Sequence, residues 1–97
     1  MNEYHTRETK RDEGLKRALT ARLNRIEGQV RGVRAMIERD AYCDDVLGQI
    51  AAARAALDSA GKLLLESHIR SCVVRDVKDG REKAIDELMG TIGKLLR

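Results

Sequence analysis

A histidine and a cysteine lie four residues apart in the stretch SHIRSCVV, where His68 precedes Cys72. Residues separated by four positions project from the same face of an α-helix, so these two side chains could bind one metal ion together. The chain has one further cysteine, Cys43, far upstream of this pair. Two thiolates and an imidazole form a soft donor set, which suits Cu(I) and also Zn(II). A set of three ligands without a carboxylate favours Cu(I), because Zn(II) usually takes a fourth ligand.

The separation of the ligands along the chain decides how such a site can be assembled. The apolar pattern predicts one helix over residues 42–77, and a rise of about 1.5 Å per residue would place Cys43 about 37 Å from His68. The two side chains therefore cannot bind one ion within a single chain, and the same length excludes an intrachain disulfide. Two copies packed antiparallel would bring Cys43 of one chain to His68 and Cys72 of the other, which gives two equivalent sites per dimer.

Two other interpretations of these residues stay open. A free cysteine is often a small buried hydrophobic residue, and a lone histidine on an apolar face is usually structural. An enzyme could use Cys72 as a nucleophile and His68 as its base, but the sequence offers no third group to orient the base and no sign of a substrate pocket. We therefore expect no catalytic residue and no enzymatic activity.

The elements that would position these side chains are three helices. Apolar residues recur in steps of three and four over residues 15–37, which predicts an amphipathic first helix. Asp40 is expected to cap the second helix, over residues 42–77, and Gly80 to form the turn after it. A third helix is predicted over residues 81–95. The expected fold is all-α, a long antiparallel pair plus a short C-terminal helix, with residues 1–11 as a flexible tail and residues 12–97 as a single domain.

The composition limits the class of protein. The chain has 97 residues with no Phe, Trp or Pro, so its core must consist of aliphatic side chains. A chain this short buries only a modest core, and we expect it to oligomerise. No apolar run approaches the roughly 18 residues of a membrane-spanning helix, and no signal peptide is evident. These features predict a cytoplasmic protein with reduced thiols and no membrane partner.

The basic residues are concentrated in the first helix. Residues 1–41 carry ten Lys/Arg against seven Asp/Glu, whereas residues 42–97 carry nine of each. Within residues 14–34 a single acid accompanies six basic residues: Lys16, Arg17, Arg22, Arg25, Arg31 and Arg34. A charged helix face is often merely solvated, but this one could equally bind phosphates. The near absence of aromatic residues disfavours binding of single strands by base stacking, so the expected partner is double-stranded DNA.

The segments RLNRIEGQVRG and YCDDVLGQI, followed by HIRSC, resemble the copper-sensitive operon repressor family (CsoR/RcnR) over about residues 15–95. The resemblance implies an all-α, DNA-binding repressor without a helix-turn-helix. It also implies a dimeric four-helix bundle that assembles into a dimer of dimers, a homotetramer. Members of the family sense Cu(I), Ni(II)/Co(II), zinc, formaldehyde or persulfides.

The resemblance also implies roles for individual residues. Cys43, His68 and Cys72 match the ligand set of the Cu(I)-sensing branch, so one Cu(I) per protomer is expected to bridge two chains. Tyr42 and Glu87 match a tyrosine and a glutamate that lie next to the ligands in copper sensors, and a neighbour of this kind can orient the histidine. The basic first helix, with Arg22, corresponds to the surface that the family uses for DNA.

The implied function is a repressor that binds operator DNA in the apo state and leaves it when Cu(I) binds, so that genes of copper efflux or buffering are expressed. Another effector remains an alternative, although the nickel/cobalt branch carries extra histidines, for which His5 is the one candidate in the tail. The persulfide branch lacks the histidine, and the formaldehyde branch generally lacks the second cysteine. A metal-buffering or redox-interaction module is a further alternative, but it would have no need of a basic first helix.

Overall fold

The structure is a computed structural model that describes residues 9–96, and these residues are almost entirely helical. Helix α1 spans Glu13–Glu38 and α2 spans Cys43–His68. A π-helical segment, Ile69–Val73, joins α2 without a break to the short helix α3, Val74–Lys78, and α4 spans Lys83–Leu95. Residues 9–96 contain no strand. The predicted all-α class with three helical rods is confirmed, because α2, the π segment and α3 form one of them.

The N-terminus of α1 is capped by a side chain from the residues before it. The carboxylate of Asp12 accepts a hydrogen bond from the backbone N–H of Leu15 at 3.2 Å, which satisfies one of the free donors of the first turn. Residues 9–12 precede α1 without helical structure. Most of the predicted tail, residues 1–11, lies outside the described residues, and His5 lies in that part.

The turn between α1 and α2 differs from the prediction at Asp40. This residue has a φ of 57° and follows the end of α1, where the N–H of Asp40 donates to Ile37 O and the N–H of Ala41 donates to Met36 O. These two bonds form the Schellman motif that closes a helix C-terminus. The prediction that Asp40 caps α2 is therefore wrong, since the residue that precedes α2 is Tyr42.

The turn after α3 repeats this motif with a glycine. Gly80 has a φ of 82°, its N–H donates to Val77 O, and the N–H of Arg81 donates to Asp76 O at 2.8 Å. Glycine adopts this left-handed conformation without steric cost. The predicted turn at Gly80 is confirmed, and it directs α4 back towards the π segment.

Helices α1 and α2 form an antiparallel hairpin. Arg39 directly follows α1 and Tyr42 directly precedes α2. Arg22 lies as many residues before Arg39 as Ser59 lies after Tyr42, and the side chains of Arg22 and Ser59 are hydrogen-bonded across the hairpin. The buried core is small: it consists of Ile26, Val46, Ala60, Cys72 and Val73. The radius of gyration is 17.2 Å, whereas a compact domain of about 100 residues has about 13 Å. The protomer is therefore an elongated helical array with little core of its own.

Both long helices leave apolar side chains uncovered. These are 43–59% exposed: Leu23, Val30 and Ile37 on α1, and Ile50 and Leu57 on α2. On each helix they recur every seven residues, which is the spacing through which helices pair. Cys43 lies seven residues before Ile50 and so continues the stripe on α2 to its first residue.

Candidate metal centre and nucleic-acid surface

His68 and Cys72 lie where α2 changes its winding. His68 ends α2, and Cys72 belongs to the π-helical segment, in which the N–H of Val74 donates to Ile69 O. Such one-turn π segments are rare and occur frequently at functional sites. Cys72 is buried, with 9% of its surface exposed, and His68 is half-buried. The two side chains line the same two cavities, as expected for residues on one helix face.

The smaller of these cavities, of about 260 Å³, connects the pair to α4. Its wall includes Glu87 of α4, together with Asp76 and Arg81 beside the Gly80 turn. Asp76 lies 3.8 Å from the guanidinium of Arg81, in addition to their backbone hydrogen bond. The carboxylate-bearing residue Glu87 thus borders the cavity that His68 and Cys72 border.

The larger cavity, of about 540 Å³, also borders the pair. It is walled by leucines of α2 and α4 and by residues 9–12 that precede α1. At its wall, Gly61 of α2 faces Leu95 of α4 so closely that a β-carbon at position 61 would lie 3.1 Å from Leu95 Cδ1. This close approach keeps α4 against the half of α2 that carries His68.

Cys43 does not join this pair within the protomer. It is the first residue of α2, is exposed, and at about 1.5 Å per residue lies about 37 Å along the helix from His68. Both cysteines are free thiols. Tyr42, which precedes Cys43, is 73% exposed. Within residues 9–96 no three His, Cys, Asp or Glu side chains come together to hold a metal ion. Within one protomer the candidate ligands therefore stay apart, with Cys43 at the start of the rod and His68 and Cys72 towards its other end.

The basic residues of α1 are mostly exposed, with one exception. Arg22 is half-buried, and its Nη1 donates a hydrogen bond to Ser59 Oγ of α2 at 3.1 Å. Lys16 is paired with Glu13 at 3.7 Å, an exposed contact of little energetic weight. The remaining members of the predicted surface are solvent-exposed: Arg17, Arg25, Arg31 and Arg34.

The structure adds two residues to this surface that the sequence did not indicate. Ser59 and Gln29 line a cavity of about 290 Å³ together with Arg22 and Arg25. Buried Ile26 and half-buried Ala56 complete its lining. Ser59 could have been found only by pairing residues at equal distances from the hairpin turn. None of the helices among residues 9–96 is both long enough and apolar enough to cross a membrane.

Comparison with known proteins places the chain in a family. The family of metal-sensitive transcriptional repressors matches residues 15–94. The copper-sensing transcriptional repressor CsoR of Bacillus subtilis (strain 168) is 46% identical over 80 residues, which are 81% of this chain and 79% of that protein. The copper-sensing transcriptional repressor RicR of Mycobacterium tuberculosis is 47% identical over 79 residues, 78% of this chain and 82% of that protein.

Solved structures agree with this result. The copper-sensing repressor CsoR with Cu(I) from Geobacillus thermodenitrificans matches with a TM-score of 0.86 and 41% identity, covering 93% of this chain and 95% of that chain. The nickel-responsive transcriptional regulator InrS matches with a TM-score of 0.72 and 34% identity, covering 91% of this chain and 97% of that chain. This chain belongs to the metal-sensitive transcriptional repressor family. Among these relatives it is more similar to the copper-sensing proteins than to the nickel-responsive one.

Proposed function

We propose that this protein is a Cu(I)-responsive transcriptional repressor. The apo protein binds double-stranded operator DNA through the basic residues of α1, and it releases the DNA when Cu(I) binds. The genes under its control would serve copper efflux or buffering. The protein acts by binding, without enzymatic activity, and it does so in the cytoplasm, where thiols are reduced.

The observation that carries this proposal is the division of three candidate soft ligands along one continuous helical rod. Cys43 lies at one end and the His68–Cys72 pair lies near the other, so a complete site requires a second chain. The uncovered apolar stripe on α2 runs from Cys43 through Ile50 to Leu57. An antiparallel partner packed on this stripe would bring its own His68 and Cys72 to Cys43, and two-fold symmetry would generate two sites.

The assembly that follows is a homodimer with one Cu(I) per protomer, bridging the two chains. Helices α1 and α2 of each chain would form a four-helix bundle, which covers the apolar faces that the elongated protomer leaves exposed. Two such dimers would form a homotetramer. This arrangement also explains the small core, since part of the hydrophobic stabilisation would come from contacts between chains.

The donor set and the comparisons together favour Cu(I) as the effector. Two thiolates and one imidazole match the preference of Cu(I) for soft ligands. Of the two solved structures, the copper-sensing repressor is 41% identical to this chain and the nickel-responsive regulator 34%. The residues next to the ligands fit as well: Glu87 borders the cavity of His68 and Cys72, and Tyr42 adjoins Cys43. A carboxylate near a metal-bound imidazole can fix the tautomer and orientation of the ring.

The route from the metal to the DNA runs through α2 and α4. Glu87 lies on α4, which packs against the π segment, and Ser59 of α2 is hydrogen-bonded to Arg22 of the basic helix. A change at the ligands can therefore reach the DNA surface through one continuous helix. Allostery in this sense requires two sites and two states that the metal and the DNA prefer differently.

The proposal is tested by operator release under anaerobic conditions. A duplex is selected from a random-sequence library by the apo protein, and its affinity is measured with Cu(I), Ni(II) or Zn(II) added at one equivalent per chain. Cu(I) should lower the affinity strongly, and the other two metals should lower it little. Release by Ni(II) or Zn(II) without release by Cu(I) would assign another effector, and the absence of duplex binding would refute the repressor function.

A further inference from the structure

We propose that the cavity between α1 and α2 is a seat for one phosphate of the DNA backbone, in which Ser59 positions the guanidinium of Arg22. The seat consists of Arg22, Arg25, Gln29 and Ser59. The proposal rests on the proposed function, because its partner is duplex DNA. It extends the DNA-binding surface from the basic residues of α1 to a polar residue of α2.

Arg22 differs in its environment from the other basic residues of α1. Among the six basic residues of residues 14–34 it is the half-buried one, and it makes the hydrogen bond to Ser59 across the hairpin. An arginine side chain on a solvated face normally keeps its rotational freedom, and ordering it on binding costs free energy. The bond from Nη1 to Ser59 Oγ, at 3.1 Å, removes part of this freedom in advance. The other N–H groups of the guanidinium are left to bind an anion.

The side chains that line the cavity suit an anion. Both guanidinium groups, the Gln29 amide and the Ser59 hydroxyl can donate hydrogen bonds, and no carboxylate lines the cavity. Ile26 is buried and Ala56 half-buried, so the apolar part of the lining stays within the hairpin. A volume of about 290 Å³ is large enough for one phosphate group. Bidentate pairing with phosphate is the interaction for which arginine is best suited.

The charge of α1 favours a phosphate of DNA over a free anion. The seat lies on α1, whose residues 14–34 carry six positive charges against one acid. A polyanion neutralises several of these charges together and releases counterions, which a single free phosphate cannot do. Contacts of this kind position a protein on the duplex and do not read its sequence.

The experiment is a scan of a selected duplex in which single backbone phosphates are replaced by neutral methylphosphonates. The wild-type protein should lose about tenfold in affinity at one phosphate per binding unit, the effect expected for a lost charge-assisted contact. The variants S59A and R22A should bind the unmodified duplex more weakly and should no longer respond to the replacement at that phosphate. The variant S59T, which keeps a hydroxyl, should regain both the affinity and the response.

Matched controls separate this role from a general effect on folding or charge. Q29A should weaken binding of the unmodified duplex, whereas Q49A, an exposed glutamine of α2 outside the cavity, should not. Copper stoichiometry and the midpoint of thermal unfolding are measured for every variant. S59A should leave both unchanged, because its hydrogen bond is exposed. Inorganic phosphate, compared with chloride at equal ionic strength, should displace the duplex no better than chloride does.

Several results would overturn the proposed phosphate seat, and they can be told apart from a failure of the repressor function. If S59A binds as the wild type does, or still responds to the same methylphosphonate, Ser59 has no positioning role. If inorganic phosphate displaces the duplex from the wild type but not from R22A, the cavity is a free-anion site. If R22A weakens DNA binding while S59A and Q29A do not, the repressor function stands and only the seat fails. A wild-type protein that binds no duplex refutes both.

Discussion

Mixing two inactive variants should restore copper binding, because each variant keeps the half of the site that the other has lost. Cys43→Ala removes the ligand at the start of α2, and Cys72→Ala removes one in the π segment. Each variant alone should lose tight Cu(I) binding in all of its sites. A dimer containing one chain of each kind should have one complete site, made from Cys43 of the second variant and from His68 and Cys72 of the first.

The length of the helical rod excludes a site within one chain, and random pairing of the chains sets the expected amount of bound copper. Two sulfur ligands of one ion lie at most about 4.6 Å apart, twice a metal–sulfur bond of about 2.3 Å. The 29 residues from Cys43 to Cys72 span about 43 Å at about 1.5 Å each, so no rearrangement within the intact rod closes the gap. With random pairing, half of the dimers are mixed and each has one site. The mixture should therefore bind about one quarter of a Cu(I) per chain, against about one for the wild type and none for either variant alone.

The assay is an anaerobic Cu(I) titration against a competing chelator after chains have been allowed to exchange. A mixture of Cys72→Ala with Cys72→Ser is the matched control, since no pairing of these chains can supply Cys72. If the mixture of Cys43→Ala and Cys72→Ala binds no more copper than the control, the site is not shared between chains. If either single variant binds one tight Cu(I) per chain, the substituted cysteine is not a ligand.

Three further predictions concern the response to copper and the ends of α1. His68→Ala should still bind Cu(I) through the two thiolates but should fail to release operator DNA, and Glu87→Ala should show a milder form of the same defect. Operator affinity measured with and without Cu(I) checks this prediction. Full release by His68→Ala would disprove the route through α4. Asp40→Gly should raise the unfolding midpoint by a few degrees at most, because glycine adopts the left-handed region at no steric cost, whereas aspartate tolerates it at a small one. Calorimetry at equal protein concentration measures the change, and a lowered midpoint would show that the Asp40 side chain contributes a compensating interaction. Asp12→Ala should lower the free energy of unfolding by about 1 kcal/mol in denaturant titrations, whereas Asp12→Asn should keep the cap and the stability. Equal losses of stability for both variants would mean that the hydrogen bond from Asp12 to the first turn is not what stabilises the helix.

The helices could be predicted from the sequence because the apolar period determines them. Steps of three and four along α1 and α2 reproduce the hairpin, and Gly80 marked the turn into α4. The sequence places Asp40 at the wrong helix because aspartate is favourable both before a helix and after one. Its side chain suits an N-cap, but it also tolerates the left-handed conformation that ends a helix, and only the backbone hydrogen bonds distinguish the two.

The π segment and the cavity between α1 and α2 could not be predicted, because both depend on tertiary contacts. Nothing in IRSCV separates a π turn from an α turn, and its buried residues Cys72 and Val73 pack where α4 approaches. The position of Ser59 opposite Arg22 depends on the register of α1 against α2, which the sequence does not reveal.

The candidate metal site remains a prediction, both in its ligands and in its assembly. The spacing of His68 and Cys72 placed both on the same cavities, and the length of the rod separated them from Cys43. The position of Glu87 on the same cavity depended on the length of the turn before α4, which the structure now supplies. Whether three ligands meet depends on a second chain, and that depends on how the apolar stripes pair.

The most direct test of the whole account is the affinity for Cu(I) measured twice, in the absence of DNA and with saturating operator. If metal and DNA bind to one allosteric molecule, the factor by which Cu(I) weakens operator binding must equal the factor by which the operator weakens Cu(I) binding. We expect equal factors of the order of tenfold or more, in line with coupling free energies of about 1–3 kcal/mol. A Cu(I) affinity that is the same with and without operator would contradict the account.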